Sequence, residues 1–540
     1  MNAFLNVLKY GLVVVLVILA VFIIACGCLV LFPSVNLFGL SYVTYDSKPV
    51  LKQFNIVEEP YTTSDAIRVD AGVFDVKIEI VNTESITNGA THLNVIMERH
   101  LNGFAIGDTS DKIVRLKEEQ VQEGGKSILD LTITQPKKAL LFNTNSFIKL
   151  LINKDLLKEK DLIIKTTTGE IEVAGKPVYD ESNNNTTTFM EFKSLAVETD
   201  KGAITLGCAT YNSPINIVQN SGNIKALVDL NVSATISQKT GFGNITLQNV
   251  GAAGNPQNLV VDNIYNSTVK VNTVYGDFLG KDVQGGNFKI DTIKKDAVVN
   301  NDYADFQINN ISGDLVYNAK EGALSIVKAT AKANINHKNG IITIGQLGDN
   351  TKDITHSINT EKASVKINKL YNSIAVSTTK GAVDITGEPF DENDPEDPED
   401  DIRPVTINVV SQDGEIKLKE VFGNVIYKCE SGSSSIAIEY DDMVGGSTLL
   451  NQSGAINVLM PYNKIIPMWL RWETNKSAKI NLISYESTYK TSVADTAHVV
   501  MDGTTEKGIS INGATNSTAQ FLQIATRMGA ISVNRKSAAS

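Results

Sequence analysis

One short phrase recurs along the chain from about residue 162: a polar stretch, a glycine, then apolar residues at alternate positions. It reads Thr166-Thr167-Thr168-Gly169 before Ile171 and Val173, then Gly202 before Ile204 and Leu206, Gly222 before Ile224, and Gly243 before Ile245 and Leu247. It returns with Gly313 before Leu315 and Tyr317, Gly322 before Leu324 and Ile326, Gly340 before Ile342 and Ile344, and Gly381 before Val383 and Ile385. Gly414, Gly454 and Gly529 open three further copies. Gly322 to Gly340 is 18 residues and Gly202 to Gly222 is 20, while Gly169 to Gly202 is 33, which suits an intervening degenerate unit. Alternation with period two puts the apolar side chains on one face of each strand, and a single such strand cannot bury that face. Stacking copies ~4.8 Å apart joins the faces into continuous ladders. The phrase therefore predicts an all-β fold, a β-solenoid or β-helix of stacked short strands, with glycine at corners that need positive φ or close backbone approach. Tandem β-sandwiches also use short alternating strands with turn signals and are the structural alternative.

From Gly11 to Phe32 no side chain is charged or strongly polar, and ~20 such residues suffice to cross the hydrocarbon core as a helix. This predicts one N-terminal transmembrane α-helix. Lys9 precedes it closely, whereas the next basic residues are Lys48 and Lys52. The positive-inside rule then places the N-terminus in the cytoplasm and the C-terminal solenoid outside the cell membrane. A cleaved signal peptide competes with this reading. Ile23-Ile24-Ala25-Cys26 also has the form of a lipoprotein box, which makes Cys26 a lipidation candidate, but the apolar run continues through Cys28 to Phe32 where such a sequence turns polar.

The chain divides into a cytoplasmic tail (1–10), the membrane helix (11–32), a stalk or linker (33–60), an N-terminal β-strand region (61–161), the repetitive solenoid (162–535) and a short tail (536–540). Strands are expected around Ile67 to Ala71, Val76 to Ile80, Leu93 to Met97 and Ile128 to Ile133, with a turn at Gly124-Gly125. Ser146 to Lys158 reads as a short helix or equally as a strand. With 49 basic against 60 acidic side chains the net charge is −11, which supplies no electrostatic footprint for nucleic acid. Five histidines and four cysteines leave little material for a zinc cluster, a disulfide framework or imidazole chemistry, so no cofactor is expected.

Repeated Thr-Thr-Gly-x-Ile-x-Val behind an N-terminal membrane segment, with Gly72-Val73-Phe74-Asp75-Val76 in the opening strands, resembles the bacterial "putative adhesin" domain family. The resemblance covers roughly residues 60 to 535 and implies head-to-tail short β-strand repeats tethered to a membrane. It implies no catalytic residues.

Several local features invite a functional reading. The acidic loop 388–401 carries Asp394, Asp397, Asp400 and Asp401, which could hold Ca²⁺, although the spacing and turn glycine of a dedicated calcium loop are missing and a solvated excursion is the simpler reading. Trp469 and Trp472 could stack on sugar rings, but on a strand they point to opposite faces. Asp262, Asp291, Asp302 and Asp305 could stack by chance in the manner of a polysaccharide-processing β-helix enzyme, yet no carboxylate pair recurs in register. His92, His100, His337, His356 and His498 are scattered, and Cys208 and Cys429 read as buried free thiols. Asn-x-Ser/Thr matches at Asn231 and Asn244 are expected by chance in so Asn-rich a chain. The sequence thus predicts a non-catalytic membrane-anchored surface protein whose partners are the bilayer through residues 11–32 and a surface polysaccharide, a protein or its own copies. Self-assembly into a scaffold through open terminal rungs is the first alternative, and a polysaccharide-processing enzyme the second.

Overall fold

The computed structural model describes residues 2–31, 40–46, 50–55, 64–72, 75–81, 92–106, 115–134, 140–143, 147–153, 158–175, 179–180, 186–187, 189–388, 403–461, 466–473, 480–481, 491–492, 498–500, 504–511, 522–527 and 529–536. One helix, Asn2–Leu31, precedes the strands. Within it Lys9–Leu31, with a mean hydropathy of 3.4, is long and apolar enough to cross a membrane. Beyond it the protein is a β-solenoid, built as two compact units: residues 1–239 with 246–248, and residues 240–245 with 249–540.

In the first unit two parallel stacks run side by side through the coils. One takes the order Lys126–Thr134, Ala66–Asp70, Asp161–Thr166, Ser194–Lys201, Ile215–Ser221, Ala234–Gln238. The other takes the order Phe147–Asn153, Asp75–Val81, Ile171–Val173, Ile204–Leu206, Ile224–Ala226. Spatial and chain order differ at the start, because the chain lays down Ala66–Val81 and then places a later coil on its far side before returning at Asp161. That later coil carries antiparallel strands on its other edge: Arg115–Glu123 pairs with Lys126–Thr134 and His92–Ile106 with Phe147–Asn153. Gly124 and Gly125, at φ of 60° and 79°, make the hairpin turn that the sequence predicted. The apolar segment after Ser146 is a strand, Phe147–Asn153, rather than a helix.

In the second unit each coil likewise contributes two strands. Ala297–Asn301 pairs with Leu315–Ala319, which pairs with Ala333–His337, while Asp305–Ile311, Ala323–Ala329 and Ile341–Leu347 form the companion stack. Leu315 faces Ala333 and Ile326 faces Ile344, offsets of 18 residues that match the period of the phrase. Where coils are longer the excess leaves at a corner: Ile335 faces Ile358, and Ile374 faces Ile407 across the acidic loop. This unit also ends in an antiparallel strand. Leu522–Thr526 and Ile531–Arg535 stack on Ser447–Asn451 and Ile456–Met460, the earlier segment Met468–Glu473 lies beyond Leu522–Thr526, and Thr504–Ile511 pairs antiparallel with it.

The core consists of ladders of equivalent inward positions. Ile308, Ile326, Ile344, Ile367 and Ile385 follow one another in register and are all buried. Each such side chain contributes roughly 1.5–3 kcal/mol by leaving water. Phe288 stacks on Phe306 with centroids 4.3 Å apart, and Phe306 meets Tyr317 edge-on at 5.6 Å. The glycine of the phrase has a steric reason. A Cβ on Gly381 would lie 2.0 Å from the carbonyl oxygen of Ala363, and one on Gly529 would lie 2.0 Å from that of Gly454, so the corner has no room for it. Three residues before the corner stands a buried polar side chain that ties it: Thr378 Oγ1 accepts the Gly381 N–H at 2.9 Å, and Asn301 Oδ1 accepts the Ala304 N–H at 2.7 Å.

Candidate functional site

Strand alternation in the second unit sends one residue of each coil inward and its neighbour outward. Just before the corner the outward position is asparagine in four successive coils: Asn300, Asn318, Asn336 and Asn359. Their side chains form an amide ladder. Asn318 Nδ2 donates to Asn300 Oδ1 at 3.0 Å, Asn336 Nδ2 to Asn318 Oδ1 at 2.9 Å, and Asn359 Nδ2 to Asn336 Oδ1 at 3.0 Å. A primary amide has two donor hydrogens and an oxygen with two lone pairs, so each rung keeps bonding capacity after its ladder bonds are made. The rungs repeat at the strand spacing of ~4.8 Å.

This ladder lines a groove of about 470 Å³, within the range of small-molecule sites. Beyond the asparagines the next row of its wall is charged and self-neutralised. Lys320 Nζ binds Asp302 at 2.8 Å, and Lys338 Nζ approaches Glu361 at 3.4 Å. The Asp302 carboxylate holds the Lys320 ammonium above its ordinary pKa, first through their hydrogen bond and then through charge attraction. Asp282 and Gln284 close the groove at its upstream end. Beneath the ladder the inward neighbours Asn301, His337 and Thr360 are buried and also line it. Desolvation lowers the His337 pKa, and its Nε2 lies 2.6 Å from the Asn339 carbonyl oxygen.

The residues singled out from sequence are dispersed. Trp469 is buried on the strand Met468–Glu473, so it is core and offers no sugar platform. The Trp472 side chain and the acidic residues Asp394, Asp397, Asp400 and Asp401 lie outside the described residues. Cys26 lies within the helix Asn2–Leu31, Cys208 and Cys429 are buried, and all are free thiols. Of the four scattered acids only Asp302 enters the groove, bonded to Lys320; Asp291 accepts a hydrogen bond from Asn309 at 2.6 Å and Asp305 one from the Ala323 N–H at 2.8 Å. His337 and His356 are buried, and the side chains of His92, His100 and His498 lie outside the described residues. Among the described residues no group of three or more His, Cys, Asp and Glu could hold a metal ion.

The glycine phrase marks corners and inward residues, so it does not point to the outward amide ladder. Its signal was nevertheless present: Asn300, Asn318 and Asn336 recur at intervals of 18, the coil period itself.

No family model and no curated protein matches this chain. Among solved structures, the chain is similar to the crystal structure of a "putative cell adhesion protein" from Clostridium sporogenes, at 8% identity, with 91% of this chain and 100% of that chain covered and a TM-score of 0.13. At that score the likeness carries no argument about what this chain does.

Proposed function

We propose that the protein is a membrane-anchored, outward-facing, non-catalytic surface protein that uses its β-solenoid to contact other molecules of the cell envelope or of neighbouring cells. The observation that carries this reading is the groove: a regular outward row of amides repeated coil after coil, suited to holding an extended ligand by many weak contacts. Binding sites of this kind sit on rigid scaffolds, and a solenoid supplies one. The apolar helix supports the anchor, and Lys9 beside it supports a cytoplasmic N-terminus.

In each unit an outer strand of the stacks is covered by an antiparallel strand, Arg115–Glu123 on Lys126–Thr134 in the first and Thr504–Ile511 on Met468–Glu473 in the second, which favours adhesion over polymerisation through bare strand edges. Two of the groove's acids are matched by lysine, Asp302 by Lys320 and Glu361 by Lys338, which favours binding over acid–base chemistry. The test is adherence of cells producing the full chain to immobilised cell envelopes, against isogenic cells lacking it. Producing cells adhere more strongly if the reading holds, and equal adherence of the two strains overturns it.

A further inference from the structure

Two exposed tyrosines of the second unit adjoin upstream residues of the same groove, an exposed phenylalanine follows a glycine that lies beside one of them, and neither core packing nor the ladder accounts for them. Phe242 is 76% exposed, Tyr303 48% and Tyr265 37%. Phe242 is held at φ 32°, a conformation costly for a bulky residue. Tyr265 is the register partner of Gln284, a groove residue, and Tyr303 follows directly on Asp302, another. Both tyrosines are seated on glycine. A Cβ on Gly241 would lie 3.3 Å from the Tyr265 ring, and one on Gly285 would lie 3.0 Å from the Tyr303 ring. Each ring thus lies beside a glycine whose missing side chain leaves it room, and each tyrosine is partly open to solvent.

From these features together we infer that the groove binds a neutral polysaccharide, its chain running across the coils with sugar rings stacked on Tyr303 and Tyr265 and hydroxyls bonded to the Asn300–Asn359 ladder. This rests on the surface-contact reading above and names its ligand class. The charge pattern selects the class. Lys320 and Lys338 are each matched by an acid, and Asp282 adds a further negative charge, so the wall offers no surplus cation to an acidic glycan, a nucleic acid or a phospholipid headgroup. An amide both donates and accepts, as a hydroxyl does, so each rung can bond one sugar unit in either sense. Apolar ring faces of sugars suit solvent-exposed aromatic rings. The strand repeat of ~4.8 Å is close to the advance of one ring along an extended glycan, so neighbouring rungs can serve neighbouring sugars.

The test is affinity electrophoresis of the detergent-solubilised full chain through gels containing mannan, dextran or β-glucan, with a heparin gel as the anionic comparison. At least one neutral polysaccharide is expected to retard the protein. Tyr303→Ala, an exposed change, and Asn336→Ala, which opens the ladder, are each expected to weaken that retardation roughly tenfold, the equivalent of one good stacking or hydrogen-bonding contact, at an unchanged melting temperature. Absence of retardation in all three neutral gels overturns the inference, as does retardation in heparin alone or retardation that Tyr303→Ala leaves unaltered. If cells producing the chain adhere to envelopes while no neutral polysaccharide slows it, the glycan inference falls and the adhesion reading stands. If neutral polysaccharide slows it while adherence is unchanged by its presence, the adhesion reading falls and the inference stands.

Discussion

At Gly381 the fold tolerates no side chain, because the Ala363 carbonyl oxygen occupies the place of a Cβ. That oxygen belongs to the backbone, so relief requires the coils to separate. Gly381→Ala is therefore expected to cost about 1–3 kcal/mol, read as a lower denaturant midpoint at unchanged slope. A neutral result would mean that the corner can relax. His356 makes a different residue-scale claim. Its Nδ1 accepts the Ala333 N–H at 3.2 Å inside the core, and burial, the largest influence, lowers its pKa from 6.5 to about 4. The unfolded chain binds this proton first, so the stability due to neutral His356 is complete above pH 6.5 and is lost as the pH falls towards 4. The loss amounts to about 3 kcal/mol by pH 4, and His337 adds to it in the same direction. Melting temperature measured across that interval should fall more steeply in the wild type than in His356→Asn, which retains an acceptor but cannot be protonated there. Parallel profiles would show that His356 contributes nothing to acid sensitivity.

At the scale of the element, the strand pairs and corners are joined by buried polar ties. Thr378→Val keeps shape but leaves the Gly381 N–H without its acceptor, and it should destabilise by roughly 1–3 kcal/mol in the same unfolding assay. The terminal hairpin has a tie of its own, in which Arg68 binds Glu123 at 2.5 Å and Asp130 at 2.6 Å. Asp130→Asn should speed amide hydrogen exchange in Arg115–Glu123 while leaving Ile341–Leu347 protected; uniform change through the chain would contradict a local role for the hairpin. Much of this level was legible in the sequence. Ile342 and Ile344, or Ile416 and Leu418, announced inward ladders because period two and a glycine recur with them. Ala297–Asn301 and Ala333–His337 were harder to read, since they open without the glycine phrase that marks Leu315–Ala319 between them in the stack. Placement of the outer coils before or after their sequence neighbours depends on long-range pairing, such as Ala66 with Ile128, which no local pattern encodes.

For the whole molecule, the fold class and the apolar N-terminal helix were both readable, the first from repetition and the second from length and hydropathy. The groove was not, because it arises from residues 18 or more apart whose alignment depends on the coil register; Trp469, conspicuous in the sequence, is core, and Tyr303, inconspicuous there, stands beside the groove. The central claim is that the solenoid is presented outside the membrane that holds the helix. Its most direct measurement is labelling of single-cysteine variants in intact cells with a membrane-impermeant maleimide, using Lys332→Cys on an exposed corner in a chain whose four native cysteines are replaced by alanine. Labelling in intact cells, at the extent seen after lysis, is the predicted result. Protection of position 332 until the membrane is opened, with the label otherwise reactive, would place the solenoid inside the cell and contradict the account.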